Sequence, residues 1–521
     1  MAVSAAHIVI GAVRLATEAE VHSLRQLTAS HVDLLRPELV LRIILSYLPE
    51  STDPKLYTGF LRDLVAGNLN ALDETEAPPA LGDNLSEDEA QRQVRGLHLL
   101  PLTDPPVLSS KPLDMFTRFL LNRAYRIDAE TGSLPLVQNL LEPFMNHSEY
   151  LSVWVISILL PLLRLDYEYY PQRIPAHSLE AFERLEGSIA VYTLLSEAAR
   201  RNDDQRIVEI GRDLRGLVAP WMYGENRRKR RKINGAQESS QLPVPTSDNG
   251  LWTVSEWSEV NSWLLDLSLR DFSRVVHAIE QWDGPDDVDY GGWGDETEAR
   301  DTERLQEAKL SYCQAGLAAF YATNDASSQT FERMHNVLDR VTDLVKLPGL
   351  PRLQSEGAAS DILIIPSDFY MSLNRSHLLY DFLLTKSNPI TVPSKASTEL
   401  AHLLITSAHI LNSFGYPIAC KKLADFSLFG STQDQKTELK RVLHALNGKH
   451  IRDEGSWATI RHQLLWLQCW GTSEANVESH QDSDHGVFSQ VDKVELEIDI
   501  LKAFLVVSRK SIHVPFVPNA Y

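Results

Sequence analysis

The sequence predicts an all-α protein, built as an irregular α-solenoid of stacked antiparallel helix hairpins. Apolar residues recur along most of the chain at the three- and four-residue spacing of a helix face. Alternating segments typical of strands are nearly absent, and the best candidate, DILIIP at Asp361–Pro366, could equally be helical. No repeat of fixed period is present, so the chain does not match a tetratricopeptide, ankyrin or armadillo series.

Two helices with a short connection are predicted near the amino terminus. The first lies in the stretch RPELVLRIILSYL, and the second begins at Asp53-Pro54, where an acidic N-cap precedes a proline at the first helical position. We expect the two helices to form an antiparallel hairpin joined through Leu48–Asp53. The facing apolar stripes are expected to be Leu39, Ile43 and Ile44 on the first helix, and Leu56, Phe60, Leu61 and Leu64 on the second.

Two apolar stretches need to be distinguished from membrane segments. The first, MAVSAAHIVIGAVRLA, has no basic residues ahead of its apolar part, so we interpret it as a core helix rather than a signal peptide. The second, Leu151–Leu165, is shorter than the roughly 20 residues that a bilayer requires, and Pro161 and Arg164 interrupt its end. It is apolar over more than one face, which predicts a buried helix that packs against neighbours on both sides.

Three further helices are predicted between residues 400 and 471. Thr432 and Gln435 are expected to form a capping box for the second of them, and Gly448 is expected to end it. Ser456 opens the third, which is expected to stop at Gly471. Their apolar stripes are Leu400, Leu403, Leu404, Ala408 and Leu411; Leu439, Val442, Leu443 and Leu446; and Ile460, Leu464 and Leu467.

Composition divides the chain into two helical segments, 1–224 and 251–521, joined by a basic linker at 225–250 that we expect to be flexible. The stretches with the Gly, Pro, Ser and Asp content of solvated connections are Asn68–Glu87, Gly224–Gly250, Asp283–Thr302, Pro348–Ser360 and Thr472–Gly486.

The balance of charge restricts the possible partners. Asp and Glu number 70 against 50 Lys and Arg, which gives a formal net charge of −20 over 521 residues. A body this acidic is repelled by nucleic-acid phosphates and by the negative cytosolic face of membranes. The sequence therefore predicts no nucleic-acid partner, and a membrane association that is peripheral and runs through a partner protein.

The three cysteines, Cys313, Cys420 and Cys469, lie far apart and show no metal-ligand spacing. They are interpreted as reduced thiols in a reducing compartment.

Common catalytic motifs are absent. The sequence contains no phosphate-binding GxxxxGK(S/T), no GxGxxG after a strand, no GxSxG and no HExxH. The glycines of Gly291–Gly294 lie in an acidic loop and are interpreted as a flexible connection. The sequence predicts no enzyme, no catalytic residue and no cofactor.

No metal site is predicted either. An acidic cluster follows Trp282 but lacks the ligand order and the closing Glu of a calcium loop; its members are Asp286, Asp287, Asp289 and Asp295. His402 and His409 are seven residues apart and share a helix face, but no third ligand lies nearby. Both are interpreted as ordinary core or surface histidines.

The basic run Arg227–Lys232, with the sequence RRKRRK, is a candidate functional segment. Such a run can act as a nuclear import signal, a nucleic-acid contact or a membrane-surface patch. No aromatic platform accompanies it, so nucleic-acid binding is not favoured. A solvated linker with incidental charge is the alternative interpretation.

Several stretches resemble, in order, blocks of a known family, the secretory-pathway Sec (Sec thirty-nine) domain that is shared with the neuroblastoma-amplified-sequence proteins. The likeness covers most of the chain, except the linker after Gly224 and the loop after Gly471. The matching blocks are Arg36–Leu61, LLRLDYEYYP at Leu162–Pro171, IGRDLRGLVAPWMYG at Ile210–Gly224, AIEQWDGPDDVDYGG at Ala278–Gly292, FSLFGST at Phe426–Thr432 and LLWLQCWG at Leu464–Gly471.

The resemblance implies a specific role. Members of the family are helical-solenoid subunits of the Dsl tethering complex on the cytoplasmic face of the endoplasmic reticulum. That complex captures coatomer-coated vesicles returning from the Golgi and holds the SNARE proteins that fuse them. The subunit bridges other tether subunits and a SNARE and has no active site. Family members usually continue well beyond this length, which implies that the chain is an N-terminal fragment or a shortened version.

Two alternatives from other classes stay open. A nuclear or transport-related helical scaffold could use the basic run Arg227–Lys232, and a nuclear pool of the tagged protein, instead of a rim at the endoplasmic reticulum, would indicate it. A hydrolase with an unrecognised site would show a pocket of converging His, Asp and Ser side chains. The residues that bind partners cannot be assigned from the sequence.

Overall fold

The structure is a computed structural model that describes residues 4–69, 86–106, 112–200, 209–224, 257–293, 302–350, 365–446, 454–470 and 485–512. Every regular element in these ranges is a helix and none is a strand, which confirms the predicted all-α class. Of the strand candidate at 361–366, the first four residues lie outside the described ranges, and Pro366 is the N-cap of a short helix. The stacking of hairpins into a solenoid stays a prediction.

The helices of the first part of the chain are numbered in chain order, and a 3₁₀ turn at Pro54–Leu56 precedes the fourth. Their bounds are α1 Ala5–Thr17, α2 Val21–Ser30, α3 Pro37–Tyr47, α4 Thr58–Ala66, α5 Glu87–Arg95, α6 Met115–Thr131, α7 Leu134–Leu141, α8 Glu149–Tyr169, α9 Leu179–Glu183, α10 Gly187–Leu194, α11 Ser196–Arg200 and α12 Ile210–Asp213, which runs on into a π-helical stretch at Leu214–Val218.

The second part continues in the same way, with 3₁₀ turns at Arg375–Leu378 and Tyr380–Phe382. Its helices are α13 Ser258–Arg270, α14 Phe272–Gln281, α15 Thr302–Ala322, α16 Ser328–Val345, α17 Ser367–Ser372, α18 Lys395–Ser413, α19 Cys420–Phe429, α20 Thr432–Leu446, α21 Glu454–Gln468 and α22 Lys493–Ile512.

The chain forms two compact units, and each takes residues from more than one stretch of sequence. Unit 1 consists of Met1–Glu197, Arg215–Leu251 and Val288–Glu298, and unit 2 of Ala198–Leu214, Trp252–Asp287 and Ala299–Tyr521. The predicted linker at 225–250 lies outside the described residues.

Local sequence signals explain where helices begin and end, as α6 illustrates. The Asp114 carboxylate accepts hydrogen bonds from the backbone N–H groups of Phe116 and Thr117, at 3.0 and 2.9 Å. These N–H groups have no partner within the helix, so an acidic N-cap satisfies them. At the other end Gly132 adopts a φ of +63°, the left-handed conformation that closes many helices and that glycine adopts without steric cost.

Both apolar stretches that were distinguished from membrane segments are core helices. Helix α1 buries Ile8, Ala12 and Ala16. Helix α8 passes Pro161 between two π-helical stretches, Val155–Leu159 and Arg164–Tyr169. Among the described residues, α8 is the one helix long and apolar enough to cross a membrane, and 83% of its most apolar window is buried inside the protein. The predicted burial of Leu151–Leu165 is therefore confirmed.

The predicted hairpin between the first two stripes is wrong, although most of its residues are buried. Phe60 is 3% exposed, but Leu56 is 66% exposed and belongs to the 3₁₀ turn, not to helix α4. Asp53 caps that turn by accepting from the N–H of Lys55. The main partners of α3 are α1 and α6, and the turn packs on α7. Helices α1 and α6 thus supply the main cover of α3, and Leu56 does not take part in a facing stripe.

In unit 2 the predicted stripes of α18 and α20 are all buried, which confirms them. The cap of α20 lies one residue earlier than predicted. Ser431 and Asp434 form it, because the Ser431 N–H donates to the Asp434 carboxylate and the Asp434 N–H donates to the Ser431 hydroxyl, at 3.0 and 3.3 Å. Helix α21 begins two residues before Ser456 and buries Leu464 and Leu467. Gly448 and Gly471 lie outside the described residues.

Candidate partner-binding surface

Specific contacts hold the acidic loop after α14, which the sequence predicts to be a flexible connection. In unit 1 the Arg164 guanidinium donates to the carbonyl oxygens of Gly216 and Asp289, at 2.9 and 2.8 Å, and pairs with the Asp289 carboxylate at 2.8 Å. Gly291 and Gly292 have φ values of +64° and +78°, a left-handed conformation that glycine adopts without steric cost. Arg164, a sequence-distant cation on α8, thus anchors this loop.

The described carboxylates of this loop are engaged by neighbouring groups. Burial raises the pKa of the Asp289 carboxyl, but the Gly291 N–H and the Arg164 guanidinium outweigh that effect and hold the pKa below its usual range. In unit 2, Asp286 pairs with Lys309 at 3.0 Å. Within the described ranges no group of three His, Cys, Asp or Glu side chains is placed to hold a metal ion. Gly294 and Asp295 lie outside those ranges.

The two histidines of α18 differ in environment. His402 is buried, its ring packs edge-on against His335 at 5.1 Å, and burial lowers its pKa to about 4. His409 is half-buried and lies beside Phe331. The interpretation of His402 as a core histidine is confirmed.

None of the three cysteines forms a disulfide. Burial raises the pKa of Cys313 and of Cys420 to about 12, whereas Cys469 is half-buried. We expect iodoacetamide at pH 8 to modify Cys469 in the native protein and to leave the other two intact, because the thiolate is the reactive form and a high pKa suppresses it. Peptide mass spectrometry measures this, with a urea-denatured sample as the control in which all three react. Equal native labelling of Cys313 and Cys469 would contradict the described burial.

The basic run Arg227–Lys232 lies outside the described residues.

The feature that the sequence analysis missed is an exposed apolar stripe on α22. One face of this helix packs against α20 and α21, with Leu496 and Ile500 buried and the Phe504 ring 5.3 Å from that of Trp457. The opposite face carries four apolar side chains at steps of four, three and four residues. We call these four the α22 stripe: Val494, Ile498, Leu501 and Leu505, exposed by 64, 45, 59 and 59%.

The spacing of the α22 stripe indicates the kind of surface it is. Steps of four and three residues place the side chains along one line of the helix, as in the seam of a coiled coil. Exposed apolar side chains grouped on one face of this kind mark interaction sites in soluble proteins. Ion pairs join the helix to α20 and α21, since Glu495 pairs with Lys436 at 2.6 Å and Glu497 with Arg461 at 2.7 Å. The four-three-four spacing can be seen in the sequence, but only the fold shows that α20 and α21 pack on the other face of the helix.

The fold and this surface define an all-helical protein that presents a helix face of coiled-coil type. The chain belongs to the family of secretory pathway protein Sec39, whose family model matches residues 9–514. The match spans nearly the whole chain, so the resemblance of its separate blocks is confirmed. Membership in this family implies a role in the secretory pathway and an association with its trafficking machinery. No individual curated protein matches the sequence significantly.

Proposed function

We propose that this protein is a non-enzymatic scaffold subunit of a multisubunit tethering complex, the Dsl complex, on the cytoplasmic face of the endoplasmic reticulum. It bridges other tether subunits and SNAREs during the capture and fusion of coatomer-coated vesicles that return from the Golgi. The family match over residues 9–514 carries this proposal. The net charge of −20 supports a peripheral attachment through protein partners.

The apolar character and the spacing of the α22 stripe support the same proposal. Its spacing is complementary to an amphipathic helix with apolar residues at the same steps, and helices of this kind pack knobs into holes. We propose that such a helix from another subunit of the complex occupies it. The neighbouring cations Lys436 and Arg461 are engaged by Glu495 and Glu497, so apolar contact supplies the affinity of this surface.

The test is affinity isolation of the tagged full-length protein from cells, followed by quantification of the proteins bound. We expect Leu501→Asp to reduce the bound tether subunits about tenfold or more, because a carboxylate in the centre of an apolar interface is buried without a partner. Val506→Asp is the matched control. Val506 lies on the same helix, is 45% exposed and stands off the stripe, so its replacement should leave the bound proteins unchanged. Equal recovery with both variants would contradict the assignment of the stripe.

A further inference from the structure

Unit 2 contains a cavity of about 520 Å³ that the proposed function does not use. It lies where the start of α19 meets the 3₁₀ turn at Arg375–Leu378 and the residue Asn324. Its volume is within the range of about 300–1,000 Å³ that is typical of binding pockets. The side chains and backbone around it belong to Asn324, Arg375, Ser376, Leu378, Leu379, Ala419, Lys421, Lys422 and Asp425.

The rim of the cavity is cationic in a strongly acidic protein. Arg375, Lys421 and Lys422 supply three positive charges and Asp425 one negative charge, which leaves two net positive charges at the rim of a chain whose total is −20. Asp425 is engaged by Arg375 in a forked pair, with both N···O distances 2.6 Å. Neither lysine has an ion pair with another described residue.

The two lysines do not serve helix stability. They occupy the first turn of α19, where the helix dipole is positive and a cation is unfavourable. No side chain caps this helix start. Their positive charges are therefore available to a negative group that enters the cavity.

The floor of the cavity is apolar. We use floor for the apolar part of the lining, which consists of Leu378, Leu379 and Ala419; Leu378 is 2% exposed and Leu379 is 52% exposed. A free phosphate or a lipid headgroup would use the cationic rim but would leave this apolar surface unfilled. An occupant that matches both parts carries an apolar side chain for the floor and carboxylates for the rim.

We infer that this cavity, defined by Arg375, Leu379, Lys421 and Lys422, binds a short acidic peptide segment. The peptide inserts one large apolar side chain into the cavity, and acidic residues of the peptide flank that side chain. The apolar side chain packs on Leu378 and Leu379, and the flanking carboxylates accept hydrogen bonds from the two lysine ammonium groups. The site belongs to unit 2 alone and is separate from the α22 stripe, so it is an additional partner contact that stands or falls independently of the tethering role.

The experiment measures fluorescence anisotropy of labelled heptapeptides with the full-length protein. The probes have three glutamates on either side of a central residue, which is leucine, phenylalanine, tryptophan or alanine. We expect saturable binding of at least one probe with a large apolar centre, at least tenfold weaker binding of the alanine probe, and a loss of affinity as salt rises.

Three variants locate the binding. Lys422→Glu and Leu379→Ser should each weaken it at least fivefold, since one reverses a charge of the rim and the other removes apolar wall. Lys440→Glu is the control, because Lys440 is likewise an exposed helical lysine of unit 2 but lies outside the cavity. The inference is overturned if no probe with a large apolar centre saturates below about 1 mM, if the alanine probe binds equally well, or if Lys440→Glu weakens binding as much as Lys422→Glu. It is also overturned if inorganic phosphate or anionic phosphatidylserine vesicles bind the same site more tightly than the peptides, which would identify an anion site instead.

Discussion

Replacing Phe60 with Ala is expected to lower the free energy of unfolding of unit 1 by about 3–5 kcal/mol. The side chain is 3% exposed and lies on α4 beside the buried Leu61 and Leu64. Truncation removes most of its buried apolar surface and leaves a cavity that the surrounding helices fill only in part. The loss is measured by urea denaturation, and hydrogen exchange of the α4 amides shows whether it is local to this region.

Leu56→Ala is the control for this experiment. Leu56 is only four residues away and was predicted on the same stripe, but it is 66% exposed. Its truncation should change the free energy of unfolding by no more than about 0.5 kcal/mol. If both variants lost equal stability, or if Phe60→Ala lost less than about 1 kcal/mol, the described packing of this region would be wrong.

The stability of unit 2 is expected to fall by about 3 kcal/mol through His402 as the pH decreases from 7 to 4. Burial lowers the pKa of His402 to about 4 in the folded protein, whereas an unfolded histidine has a pKa near 6.5. Between these two values the unfolded chain binds a proton that the folded chain does not. Folding is therefore favoured less and less as the pH falls through this window, and the loss is complete near the folded pKa.

His402→Gln should remove this contribution to the pH dependence, and His409→Gln should preserve it, since His409 lies on the same helix but is half-buried. The comparison with wild type is needed because buried carboxyls of the same unit act in the opposite direction. Burial raises the pKa of Glu399, so its protonation in the folded state favours folding as the pH falls. Denaturant midpoints measured between pH 7 and 4 give the difference. Parallel curves for wild type and His402→Gln would contradict the prediction.

Local periodicity predicted the elements whose burial depends on one helix face. The stripes of α18 and α20 and the buried run of α8 were predicted correctly. Apolar residues that recur every three or four positions form a helix face that has to be buried, whichever element packs against it. The partner of a face is not encoded locally. Helix α3 packs mainly on α1 and α6, and Leu56, which was predicted on the facing stripe, is exposed, so the predicted hairpin was wrong.

The candidate sites illustrate the same limit. The cationic cavity combines Arg375 with Lys421 and Lys422, which only the packing of the 3₁₀ turn on α19 brings together. The spacing of the α22 stripe is present in the sequence, but the helix has two apolar faces, and the sequence does not say which of them α20 and α21 cover. The family itself was predicted from long co-linear blocks, and the match over residues 9–514 confirms it.

Vesicle flotation of the purified protein tests the partner-bridging mechanism most directly. The basic run Arg227–Lys232 could contribute about 1 kcal/mol per cation at an anionic surface, but the net charge of −20 opposes docking and salt screens charges beyond about 8 Å. We predict weak flotation with anionic vesicles alone, lost as salt rises, and robust flotation once a SNARE of the endoplasmic reticulum is reconstituted in the same vesicles. Vesicles with an unrelated membrane-anchored protein are the control, and neutralising Arg227–Lys232 should leave the SNARE-dependent recruitment intact. Tight, salt-resistant flotation of the chain without any SNARE would contradict the mechanism, since the protein would then bind membranes in its own right.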